Sequence, residues 1–250
     1  MSRLDGKDPA APRRRVSRRR ILGLGLLAAL AVAAVVFRRP LFGGNFGVVE
    51  PGRVYRSAQP TTGLPGLIRD RRLASVLNLR GGSPGDPWYV AEVRATHDAG
   101  VDFYDFPMCA TRRPSRSELL VLIDLLGRCR YPLLIHCKQG ADRTGLATAL
   151  YRMVEQEVGP AEALESFALA YGHVPILGTR HLHEPLEEYA TWLDARRLSH
   201  TPRRFRLWVE QEYRSDGPTG TPPPLVAGPR NSGFAARIGV GTPTVPVQHR

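Results

Sequence analysis

Apolar residues recur along this chain with two different spacings. Short apolar runs closed by glycine or proline fit buried strands, and apolar positions three and four apart over longer stretches fit helices. Residues 48–60 read as a strand, a Pro51-Gly52 turn, a second strand and a break at Pro60. Residues 64–72 fit a short helix. Residues 75–80 fit a buried strand ending at Gly81-Gly82, and residues 87–99 a helix that Gly100 stops. Residues 101–106 fit a strand closed by Pro107, after which Ser115 or Ser117 caps a helix reaching Arg128. Residues 132–135 fit another buried strand, and a helix begins at Thr144. Three more helices are expected over 160–171, 184–197 and 202–213, the last packing through Phe205, Trp208 and Val209. Strands alternating with helices predict an α/β fold, a mostly parallel central sheet flanked by helices on both faces. Ligands of such sheets bind at the carboxyl ends of the strands.

The two ends of the chain depart from this alternation. Residues 1–20 are polar and arginine-rich, and a basic, disordered N-terminus is expected there. Residues 21–37 carry no charge. As a helix they would extend roughly 25 Å at about 1.5 Å per residue, marginal for a bilayer. Six arginines between Arg13 and Arg20 precede this stretch, and Arg38 and Arg39 follow it. The heavier positive side stays in the cytoplasm, so residues 21–37 read as one N-terminal transmembrane helix or signal anchor. That attaches the chain to the membrane and sets the rest on the non-cytoplasmic side. A removable signal is the rival: Ser17-Arg18-Arg19-Arg20-Ile21-Leu22 looks like a twin-arginine export signal, with a cleavage site at Ala31-Val32-Ala33. Residues 44–214 then form the folded domain, and residues 215–250, rich in Pro and Gly, a disordered tail.

Charge narrows the partners. The net charge of +12 is almost all arginine, since lysine occurs only at Lys7 and Lys138. Such a balance suits anionic partners in general: phosphorylated substrates, lipid head groups or nucleic acid. The partner expected is a phosphorylated protein or a small polyanionic phosphate, and no nucleic acid. Three cysteines make no disulfide framework, and Cys109 and Cys129 read as core thiols. No Cys/His set has zinc spacing, and His181, His183 and Glu184 read as surface groups.

The candidate chemistry lies where the strand at 132–135 passes into the helix at Thr144. Cys137 stands at the strand end, Arg143 follows six residues later, and Lys138, Gln139, Gly140, Ala141 and Asp142 lie between. A loop over a helix N-terminus aims backbone N–H groups at one point, where the helix dipole adds positive potential. Such a nest holds a phosphate dianion, and Arg143 can add a bidentate fork. The same field favours the thiolate of Cys137, and a thiolate under a phosphate is a nucleophile.

With His136, Thr144 and Gly145, this segment resembles the signature loop of the cysteine-dependent protein tyrosine and dual-specificity phosphatases, His-Cys-x5-Arg-Thr/Ser-Gly. Residues 52–60, Gly-Arg-Val-Tyr-Arg-Ser-Ala-Gln-Pro, resemble the opening of the bacterial, plant and fungal atypical dual-specificity phosphatases. The resemblance implies a phosphatase-type fold and hydrolysis through a cysteinyl-phosphate. Cys137 would attack, Arg143 and the amides of 138–142 would bind the phosphate, Thr144 would assist the sulfur's departure, and His136 would orient the loop. No metal or cofactor is expected, because the loop and Arg143 supply the positive field. The family often carries a general acid on an upstream loop, but residues 108–114 hold no carboxylate. Asp142 is the favoured substitute, with loop bracing as its other reading, Asp105 is the second candidate, and an enzyme without a dedicated acid is the remaining alternative. Arg56 and Gln59 either line the pocket or tie down the first strand. Lys138, Arg112 and Arg113 would suit a multiply phosphorylated substrate. The expected function is a tyrosine/dual-specificity-like phosphatase. The alternatives are an inositol phosphate or phospholipid phosphatase, or a membrane-anchored phosphate-binding module without turnover.

Overall fold

The computed structural model describes residues 18–36, 38–175, 178–215 and 226–227. The chain divides after Val36 into two units. The first holds α1 (Arg18–Val36), built from Leu, Ala and Val, good helix formers apart from the branched valines. Among the described residues no helix is long and apolar enough to cross a membrane. The transmembrane helix expected over 21–37 is therefore not found. Three arginines open the 19-residue α1, and the apolar remainder reaches only about 24 Å against a hydrocarbon core of about 30 Å.

The second unit is an α/β sandwich. Its strands are β1 (Gly47–Glu50), β2 (Val54–Ser57), β3 (Ser75–Asn78), β4 (Asp102–Asp105), β5 (Leu133–His136) and β6 (Val226–Ala227). They form one sheet in the order β1-β2-β5-β3-β4-β6. The four inner strands run parallel, and β1 and β6 close the edges antiparallel. The tail expected to lack structure thus contributes β6; most of it lies outside the described residues, as do residues 1–17.

Side chains of the inner strands alternate between two cores, as a sheet covered on both faces requires. Tyr55, Val76, Phe103 and Leu134 face α3 (Leu64–Arg71) and α4 (Pro87–Asp98). Val54, Leu77, Leu133 and Ile135 face the larger layer of α5 (Arg116–Arg128), α6 (Asp142–Glu155), α8 (Glu184–Arg196) and α9 (Pro202–Gln211). Each such aliphatic side chain, fully buried, contributes about 1.5–3 kcal/mol. Ser115 caps α5 in a reciprocal box with Glu118. Cys129 is buried, and burial pushes its thiol up to about 12, whereas Cys109 is exposed rather than in the core.

The helix expected over 160–171 breaks. α2 (Arg38–Phe42) lies near the start of the domain, and within 160–171 only α7 (Pro160–Ala163) is α-helical, followed by 3₁₀ turns at Leu164–Ser166 and Leu169–Tyr171. Phe167 leaves helical geometry at φ −93°, ψ 54° and packs on α6 at Gly145, where a Cβ would lie 2.8 Å from its ring. Tertiary packing overrides a weak local preference here.

Candidate active site

In the parallel ladder Ser57, Asn78 and His136 are level, so residues 137–141 emerge at the carboxyl ends of the strands. What shapes this loop is the direction of its carbonyls. Gln59 N–H donates to Lys138 O at 3.3 Å, and Asn45 Nδ2 to Gln139 O at 2.7 Å. Arg56 Nη2 donates to Gly140 O at 2.9 Å and to Ala141 O at 3.3 Å. Four consecutive carbonyls are thus drawn outward, which turns the intervening N–H groups toward the centre of the loop. One of them, Gly140 N–H, donates to Cys137 Sγ at 3.2 Å. Gly140 has φ +70°, and a Cβ there would lie 2.5 Å from the backbone of Ser57 and Ala58, so only glycine fits.

Arg56 is the main brace. It is buried, its Nη1 donates to Ser166 O at 2.7 Å, and its guanidinium lies 3.8 Å from the Tyr171 ring centroid. Burial lowers its pKa to about 10, with Tyr171 and Cys137 opposing, so it stays a cation beneath the loop. Of the two sequence readings of Arg56 and Gln59, the tie is the one formed, and it holds the loop as well as the strand.

Arg143 follows Asp142 in the first turn of α6. Its Nη1 donates to Leu79 O at 3.1 Å and Met108 O at 3.2 Å, while its buried Nε has no partner. The Thr144 hydroxyl is likewise fully buried and unpartnered. Cys137, Gly140 and Ala141 are buried, and Lys138 and Gln139 are exposed. His136 is buried behind the loop with its Nε2 2.5 Å from Glu92 Oε1, and Gln59 Nε2 donates to Glu92 Oε2 at 2.7 Å.

The candidate acids are both engaged. Asp142 Oδ1 lies 2.7 Å from His173 Nδ1, and His173 Nε2 lies 2.7 Å from His183 Nε2. Phe167 packs on both rings, and burial, reinforced by His173 and Arg180, lowers His183 to about 4. His183 is therefore neutral near pH 7. Asp105, at the end of β4, accepts from Tyr89 OH at 2.7 Å, and burial pushes its carboxyl up to about 6. The arginines of the upstream loop do not stand free. Arg112 forks onto Glu118 at 2.6 and 2.8 Å, and Arg113 pairs with Glu184 at 3.5 Å and with Glu188. Their expected role in guiding a polyanion loses its basis.

Sequence reasoning missed Asn45, Glu92, His173 and His183. None lies within the motif, and only the pairing of distant segments brings them to it.

Three comparisons bear on this geometry. An inositol diphosphatase of rice (Oryza sativa subsp. japonica), DSP1, is 30% identical over 120 residues, covering 45% of this chain and 50% of the relative. The chain thus spans about half the length of the curated relative it matches. The crystal structure of P. aeruginosa TpbA shares the fold with a TM-score of 0.50 at 23% identity, covering 67% of this chain and 91% of that one. Residues 42–174, more than half of the chain, match the family described as DSP-PTPase phosphatase fused to NAD+ kinase, and the chain belongs to that phosphatase family.

Proposed function

We propose that the protein hydrolyses phosphoesters through a cysteinyl-phosphate on Cys137. The observation that carries this reading is the capture of the carbonyls of residues 138–141 by donors outside the loop, with the Gly140 N–H donating to the sulfur. A phosphate seated there meets fixed donors that need no reorganisation as charge shifts to the equatorial oxygens. The Arg143 Nε and the Thr144 hydroxyl, buried and unpartnered, are available to the phosphate and the sulfur. In the first step the S–P bond forms and the P–O bond to the leaving group breaks. In the second, water attacks phosphorus, the S–P bond breaks, and inorganic phosphate and the thiolate are released.

The leaving oxygen must take a proton or depart as a stable anion. His173 holds Asp142, Tyr89 covers Asp105, and the loop after β4 has no carboxylate. This favours leaving groups that are weak bases. A phosphate expelled from a diphosphate is one, and a phenolate is far less basic than an alkoxide. The rice relative's name supports a diphosphorylated inositol as the substrate class. Phosphotyrosine in a protein, an aryl ester, is the second reading, favoured by the same lack of a free acid. For α1 we propose an export signal or short anchor that sets the domain on the non-cytoplasmic side, supported by its arginine flank.

Acid quenching during turnover of labelled substrate should trap phosphate on Cys137. Cys137→Ser should lower phosphate release by about a thousandfold or more while binding persists. Equal turnover by the two proteins rejects the mechanism, and binding without any turnover in the wild type favours a phosphate-binding module.

A further inference from the structure

The arginines nearest the loop each have a fixed occupation. Arg56 and Arg143 hold backbone carbonyls, and Arg112 and Arg113 pair with carboxylates. Two cations on the same rim differ. Arg80 lies two residues beyond β3, and Asn78 of β3 is level with His136 of β5. Continuing that parallel register sets Arg80 level with Lys138. Gln59 links the two positions: Arg80 Nη1 donates to Gln59 Oε1 at 3.3 Å, and Gln59 N–H donates to Lys138 O at 3.3 Å. Gln59 is fixed in turn by the hydrogen bond its Nε2 donates to Glu92 Oε2 at 2.7 Å, which leaves its oxygen to Arg80. Arg80 Cζ lies over the Trp88 ring, 3.6 Å from its centroid, with one N–H engaged. Among the described residues no carboxylate pairs with Arg80 or Lys138.

An ion pair would cancel these charges for incoming anions, and the described residues form none with either. Stacking on Trp88 lowers the ordering cost of the guanidinium and leaves its remaining N–H groups in a planar fork suited to phosphate oxygens. Lys138, exposed and next to the nucleophile, adds a point charge to the same edge. We propose that Arg80 and Lys138 form a second anion subsite, which takes a phosphate group of the substrate other than the one attacked. The ligand class is a small molecule carrying several phosphates within a few ångströms of each other. This rests on the phosphatase reading for the position of the attacked group, not for the binding itself.

Equilibrium binding to full-length Cys137→Ser protein tests the subsite without turnover, with inositol hexakisphosphate as the polyphosphate probe and inorganic phosphate as the single-site probe. Arg80→Ala should weaken hexakisphosphate about tenfold or more beyond any loss for inorganic phosphate. Lys138→Ala should act in the same selective sense, and Trp88→Leu less strongly, by releasing the guanidinium. Equal weakening of both probes, no weakening of either, or no hexakisphosphate binding by the Cys137→Ser protein overturns the subsite. Absence of phosphate release by the wild type rejects the catalytic reading instead, since none of these binding measurements depends on it.

Discussion

Asp105 carries an electrostatic penalty that the rest of the fold sustains. Burial raises its carboxyl from the usual 3.8 to about 6, Glu92 adds to the rise, and the Tyr89 hydroxyl and His136 act against it. Between those two values the folded protein holds a proton that the unfolded chain has lost. Stability on this account is greatest below about pH 3.8, falls as pH rises toward 6, and stays lower by at most about 3 kcal/mol beyond it. Asp105→Asn keeps an acceptor for Tyr89 and removes the titration. In denaturant unfolding the variant should be more stable than the wild type at pH 8, and the difference should close near pH 4. A difference of equal size at both pH values would assign the effect to packing and not to charge.

At the scale of elements, the phosphate loop is held by parts that the motif does not contain. Removing Arg56 would leave the carbonyls of Ser166, Gly140 and Ala141 without that donor, at about 1–3 kcal/mol for each group left unsatisfied. Ala141 O keeps the Gly145 N–H at 2.8 Å, but Gly140 O is released, and the loop amides next to it lose their aim. Arg56→Met should therefore lower kcat on an aryl phosphate about a hundredfold, along with a drop in thermal stability. Arg56→Lys, which keeps the charge and part of the bonding, should recover some of both. A loss of stability with kcat intact would reduce Arg56 to a tie for the first strand. Strand, loop and the helix after it were legible in sequence because each is a local pattern: an apolar run, a polar loop holding a glycine, and a run of helix formers. The supports were not, because they join remote segments. Asn45 reaches Gln139, His173 reaches Asp142, and Glu188 neutralises Arg113, and no spacing rule encodes such meetings. The broken stretch after α7 escaped for the same reason, since Phe167 is turned by what it meets on α6.

On the scale of the whole chain, the question is what α1 does for a domain whose core is complete without it. Leu24, Leu26, Leu27, Leu30, Val32 and Val35 are all exposed on that one helix. An apolar surface of this kind is a liability in water unless lipid or a translocation channel takes it. Its uncharged length is short for a span but ample for the apolar core of an export signal, which needs only about 7–15 residues. The two roles part at Ala31-Val32-Ala33, where a signal would be cut and an anchor would not. Export predicts a shortened soluble form outside the cytoplasmic membrane, and replacing the arginine pair, Arg18→Lys together with Arg19→Lys, should leave the full-length chain inside. Full-length protein that stays in membranes through a high-salt wash would establish the anchor. A full-length soluble form in the cytoplasm of wild-type cells would sink both, and with them the assignment of this phosphatase domain to the outer side.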